Sequence, residues 1–217
     1  MTNALDTITS AEYEAIRTAC EKLPRPKGNY HRDDYVLNLL LTVLDYQNKR
    51  PTIEKALAHF RAHHGEALND HASLRRFLDT FADDRKAATV LWGNNHWRRV
   101  RELRGLLAYF ESLPEPAVDH ASLRKWAEES TFEQDFKGRV KGLGLAIYKW
   151  LTMRLGVNTI KPDVHVHNFL KKSAGRTLSD REAVAVLEAV AKEIDRLAYE
   201  LDWSIWERAT GQDFPLH

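Results

Sequence analysis

Apolar residues recur at helical spacing along nearly the whole chain, while strand-like alternation bounded by turn residues is scarce. That pattern confines the chain to an all-α fold. Punctuation marks the helix ends. Ser10 is placed to cap a helix running to about Leu23, and P-R-P-K-G then breaks it, because Pro24 and Pro26 cannot continue the backbone ladder. Asp33 or Asp34 opens the next helix, Y-V-L-N-L-L-L-T-V-L-D-Y-Q, which is apolar almost all round and so belongs at the centre of a packed unit. Pro51 suits the first turn of a third helix, ending near Gly65.

With 217 residues the chain can bury a substantial core, as one domain or two packed lobes, and no linker divides it. Lys and Arg number 32 against 31 Asp and Glu, so any surface for a polyanion has to be a local patch. The single Cys20 excludes an internal disulfide framework and a four-cysteine zinc or iron-sulfur site, and it reads as a small core residue. The first ten residues carry no basic region followed by an apolar run, and no stretch is apolar over a membrane's width. A soluble, cytoplasmic monomer without a membrane partner is expected.

D-H-A-S-L-R-R-F at 70–77 is nearly repeated as D-H-A-S-L-R-K-W at 119–126. Each Asp or Ser caps a short helix on this reading, and His71 and His120 receive no role. Between the copies, W-G-N-N-H-W-R-R-V-R-E-L-R turns at Gly-Asn into a helix whose first turns carry Arg98, Arg99, Arg101 and Arg104. Solvated side chains or phosphate contacts both suit such a cluster.

Residues 133–155, E-Q-D-F-K-G-R-V-K-G-L-G-L-A-I-Y-K-W-L-T-M-R-L, read as a short helix, a turn on Gly142, Leu143 and Gly144, and a helix from Leu145. The glycines permit close backbone approach, and the unpaired amides at the second helix's start favour an anion such as a DNA phosphate. Lys137, Arg139, Lys141 and Lys149 make this hairpin a local basic patch. Further on, K-P-D-V-H-V-H places Asp163, His165 and His167 at alternate positions. On an extended strand all three could meet one metal ion; on a helix starting after Pro162 they face apart.

The order of these segments resembles the helix-hairpin-helix (HhH-GPD) DNA glycosylase superfamily, endonuclease III-like, over about residues 33–211. There an L-P-G-V-G hairpin precedes a V-D-T-H-V-like segment by about one helix; here V-K-G-L-G-L-A precedes D-V-H-V. Leu37 to Gln47, in the run that closes D-Y-Q-N, looks like the family's apolar helix and its glutamine-bearing end, and L-D-W-S-I-W-E-R-A-T-G looks like its closing helix. The resemblance implies a single glycosylase domain over 1–217, with lobes of about 1–32 plus 160–217 and about 33–159.

The same resemblance makes Asp163 the catalytic carboxylate and His165 a structural hydrogen-bonding residue. It assigns Arg139, Lys141, Gly142, Leu143, Gly144, Leu145 and Lys149 to DNA contact, and Gln47, Asn48 and Lys49 to the wedge that fills the gap left by an extruded base. Tyr46, Trp92 and Trp97 are candidates to stack on that base. The family's Schiff-base lysine is replaced by Ala146, which implies a monofunctional hydrolase of base excision repair acting on a damaged or modified base in double-stranded DNA. A monovalent cation, Na+ or K+, on hairpin carbonyls is implied; an organic cofactor, an iron-sulfur cluster and side-chain metal ligands are not. Two alternatives stand beside it: a non-catalytic helix-hairpin-helix protein recognising distorted or modified DNA, and a metal-dependent hydrolase using Asp163, His165 and His167.

Overall fold

The computed structural model describes residues 4–26, 31, 33–45 and 48–211. All regular structure among them is helical, with no strand. After a 3-10 turn at Ala4–Thr7 come α1 (Ser10–Glu21), α2 (Tyr35–Leu44), α3 (Arg50–His63), α4 (His71–Asp79), α5 (Asp84–Trp92), α6 (Trp97–Glu111) and α7 (His120–Glu129). A π-helical turn, Phe132–Phe136, precedes α8 (Leu145–Arg154), α9 (Val164–Ala174), α10 (Asp180–Glu193) and α11 (Ala198–Thr210).

Local capping sets many of these boundaries. Thr9, one residue before the expected cap, closes a capping box with Glu12, since its own side chain reaches the Glu12 amide. Asp34 caps α2 through the Leu37 amide at 2.8 Å. The two near-repeats form the same box twice: Asp70 accepts from the Ser73 amide, and Asp119 from that of Ser122. Their histidines nevertheless part company. His71 is buried, with Tyr35 Oη 2.7 Å from its Nδ1 and Glu111 2.7 Å from its Nε2. His120 is half-buried, 3.4 Å from exposed Asp33.

The chain divides into two compact units, Met1–His31 with Gly156–His217, and Arg32–Leu155. In the second unit α2 packs on α4, α6 and α8, and eight of its ten residues are buried, which accounts for its apolar circumference. A polar clasp is set into that packing. Buried Arg154 of α8 donates through Nη2 to the Asn38 carbonyl at 2.6 Å and to Asn38 Oδ1 at 2.7 Å, and through Nε to the same Oδ1 at 3.2 Å.

In the first unit α1 packs on α9 and α10, and α11 on α9 and α10. Ile16, Cys20, Val166, Leu170, Leu187, Val190 and Leu201 lie at its core. Burial pushes the Cys20 thiol up to about 12. Buried Arg196 donates to the Leu23 and Pro24 carbonyls and to Ser204 Oγ, tying the segment after α1 to the middle of α11.

A polar network links the unit's surface elements. Arg176 donates to Glu12 and to the Thr7 carbonyl, while Glu182 accepts from Thr7 Oγ1 and from the amide and hydroxyl of Ser179. Arg176 holds the Glu12 carboxyl down to about 2, and the Ser179 hydroxyl does most to hold Glu182 down to about 2. Folding thus keeps both groups ionised below the ordinary carboxylate value of 4.5. Their contribution is complete above that pH and is lost as pH falls toward 2. Thermal midpoints measured across this window should drop, and Arg176→Ala should make the drop shallower; parallel curves for the two proteins would remove the network from the acid response.

Candidate functional site

The hairpin and Asp163 belong to different units, and each is shaped by its own surroundings. An aromatic cluster sets the hairpin's first arm. Phe132 and Phe136 of the π turn pack with Tyr148 of α8, while Tyr109 and Phe110 of α6 meet Trp126 of α7. Polar atoms lock these rings: Tyr109 Oη donates to the Asp135 carbonyl at 2.6 Å, Trp126 Nε1 to Tyr109 Oη at 3.2 Å, and Tyr148 Oη to the Ser130 carbonyl at 2.7 Å. F-E-Q-D-F is the sequence signal that would have shown this arm, since its two phenylalanines are spaced for one face of a helical turn.

Gly142 turns the chain at φ +94°, a region costly for any residue with a β-carbon. Space is also short there, because Glu102 Oε1 lies 3.1 Å from where a β-carbon would stand. Glu102 is itself buried and held at 2.7 Å by buried Arg99, and its burial raises the carboxyl above the ordinary range. Gly144 differs. Its φ of −107° suits any residue, and a β-carbon added to it would meet nothing within 4 Å. It starts α8 without a side-chain cap, leaving the first-turn amides open at an exposed position.

The expected DNA-contact residues differ in exposure. Arg139, Lys141 and Gly144 are exposed, Leu145, Ala146 and Lys149 are half-buried, and Leu143 is 5% exposed, its side chain an anchor in the core. Lys137 is paired with Glu133 at 2.8 Å. Arg139 lines a cleft of about 430 Å³ with Tyr109, Trp126, Ser130 and Asp135.

Asp163 sits on a loop bolted to its unit from both sides. The Ala198 amide donates to Asn158 Oδ1 at 2.6 Å, Thr159 Oγ1 to Glu188, and the Lys161 amide to buried Asp202 at 2.9 Å. Pro162 is buried, and the Asp163 amide closes back on the Lys161 carbonyl at 2.8 Å. Asp163 then caps α9: its Oδ1 accepts from the His165 and Val166 amides at 2.8 and 3.1 Å. Its Oδ2 makes no hydrogen bond among the described residues, and the side chain is half-buried.

Burial and hydrogen bonding place the other expected residues. His165 supports Asp163 through its backbone amide; among the described residues its ring makes no hydrogen bond. Helix α9 turns His165 and His167 about 200° apart, and the His167 ring instead meets Asp180 at 2.9 Å. Among the described residues no three His, Cys, Asp or Glu side chains gather at metal-binding range. Trp92 is 2% exposed in the core of its unit, which removes it from any surface that stacks a base. Asn48 spends its amide on the Leu44 carbonyl at 2.7 Å, closing α2, whereas Lys49 is exposed. Tyr46 and Gln47 lie outside the described residues. Among the described residues no helix is long and apolar enough to cross a membrane.

A family model described as a domain of unknown function (DUF8548) matches residues 14–210, from within α1 to the end of α11. The chain belongs to this family. No curated protein and no solved structure matches it. The matched range takes in both the hairpin and Asp163, so both lie within the family's domain.

The contrast between the two hairpin glycines is measurable. Gly142→Ala should cost about 1–3 kcal/mol in urea unfolding, from backbone strain and the Glu102 contact, while Gly144→Ala should stay within about 0.5 kcal/mol of the parent. Equal losses at both positions would contradict the difference in backbone geometry.

Proposed function

We propose that the chain is a monofunctional DNA glycosylase of the helix-hairpin-helix type, which removes a damaged or modified base and leaves an abasic site. The observation that carries this reading is Gly144, a glycine that neither φ nor packing requires, at the bare start of α8. A glycine there keeps the first-turn amides accessible to an anion as large as a phosphate, and neighbouring Lys141 and Arg139 match its charge.

Asp163 supplies the carboxylate. Rupture of the C1′–N bond sends its electron pair to the base nitrogen and leaves oxocarbenium character on the sugar. A fixed negative charge stabilises that cation without reorganising. Water adds to C1′, its proton passes to the Asp163 carboxylate and on to solvent, and the departing base takes up one proton. Two amide bonds hold Oδ1 and the loop behind it is braced, so Oδ2 is the oxygen available for this work. Ala146 occupies the position where a backbone-cleaving relative would carry its amine, so no Schiff base forms there.

The carbonyls of Lys141, Gly142 and Leu143 accept no hydrogen bond among the described residues, and their hard oxygens fit the implied monovalent cation. Bound there, it would offset part of the phosphate's charge.

The test is a panel of duplexes, each with one altered base, assayed for strand breaks before and after alkali. Breaks should appear only after alkali, fall at least a hundredfold with Asp163→Asn, and become weaker with Gly144→Ala through lost duplex affinity. Binding to every duplex with no base released would favour a DNA-recognition protein without catalysis. Breaks before alkali would show a lyase and displace the assignment of Ala146.

A further inference from the structure

Arginines crowd one indole on the second unit. Trp97 is half-buried at the start of α6, and the guanidinium carbons of Arg101, Arg98 and Arg85 lie 4.8, 5.5 and 5.9 Å from its ring centroid. Beside it a cleft of about 350 Å³ is lined by Ala82, Asp83, Asp84, Arg85, Trp97 and Arg101. That volume falls within the range of small-molecule sites, about 300–1,000 Å³.

Ion pairing does not account for this arrangement, although each guanidinium is attracted to the ring. Among the described residues Arg85 and Arg98 close no salt bridge, Arg98 acting on the Glu102 carboxyl only through its charge, and Arg101 reaches Asp84 only at 3.6 Å with 65% of its side chain exposed. Asp84 is already matched by Arg104 at 3.1 Å, which also donates to the Leu78 and Phe81 carbonyls. Asp83 caps α5 through the Arg85 amide. Arg85 and Lys86 stand in the first turn of α5, and Arg98 in that of α6, where the helix dipole disfavours cations. The fold therefore tolerates mutual repulsion among three guanidinium groups around one ring. An anion brought beside that ring would relieve it, and a planar base would use the ring face.

We infer that the Trp97, Arg85, Arg98 and Arg101 surface docks an unpaired nucleotide of single-stranded nucleic acid, its base stacked on the indole and its phosphate met by the guanidinium groups. None of these residues belongs to the hairpin or to the loop of Asp163, so the docking does not depend on base removal. With a formal net charge of +1 the chain has to meet a polyanion at a local patch such as this one.

Fluorescence anisotropy with the full chain tests this, using a labelled, unmodified single-stranded DNA oligonucleotide and a fully abasic strand of the same length. The parent should bind the base-bearing strand more tightly, with affinity falling steeply as salt rises. Trp97→Ala should weaken binding about tenfold or more, and Trp97→Phe should stay within about threefold of the parent. Arg85→Ala with Arg98→Ala should weaken binding and lower the salt slope by about 1.5. Circular dichroism checks that each variant keeps its helices. Equal affinity for the abasic strand would overturn the stacking, as would unchanged binding in Trp97→Ala.

Discussion

Arg154 fixes where the hairpin can be. Apolar contact between α2 and α8 is non-directional, and two greasy helices can slide by a residue at small cost. A buried guanidinium cannot. Its bonds to the Asn38 side chain and carbonyl are satisfied in one register, and any slip would strand a charge in the core. The hairpin precedes α8 directly, so its turn, Gly142 against Glu102 and the open amides after Gly144 all inherit the position this clasp defines.

A second level of order comes from the aromatic cluster around the π turn. Rings from α6, α7 and α8 meet Phe136 edge-on or tilted, Tyr148 of α8 also meets Phe132, and three polar bonds tie the ring tips to backbone or to one another. The hairpin is therefore braced on its first arm by rings and on its second by a charge. Asp163 is braced differently, by side chains of α10 and α11 that hold the loop before it. Each functional element rests on contacts within its own unit.

Features governed by neighbours in the chain were legible in the sequence. Asp34, Asp70 and Asp119 act as caps because a cap needs only the next three residues, and the start of α8 at Leu145 follows from the glycines before it. The apolar circumference of α2 declared its central place. What depends on distant partners was not legible. The arginines of α6 look like one cluster in the sequence, yet Arg99 is buried with Glu102, Arg104 braces the segment before α5, and only Arg98 and Arg101 surround Trp97. Trp92 and Trp97 stand five residues apart and differ because Trp92 falls on the buried face of α5, with Ala87, Ala88 and Leu91, while Trp97 opens α6 half-buried. For His165, the group that makes the hydrogen bond is the backbone amide, which every residue but proline possesses.

Cys20 has a practical bearing on all of this. It is the chain's only cysteine, fully enclosed by α1 and its neighbours, and its thiol scarcely ionises near neutrality. Maleimides and mild oxidants should pass the folded protein by. A cysteine introduced on an exposed residue would then be the sole point of attachment for a spin label, fluorophore or crosslinker, with no need to engineer the native one away.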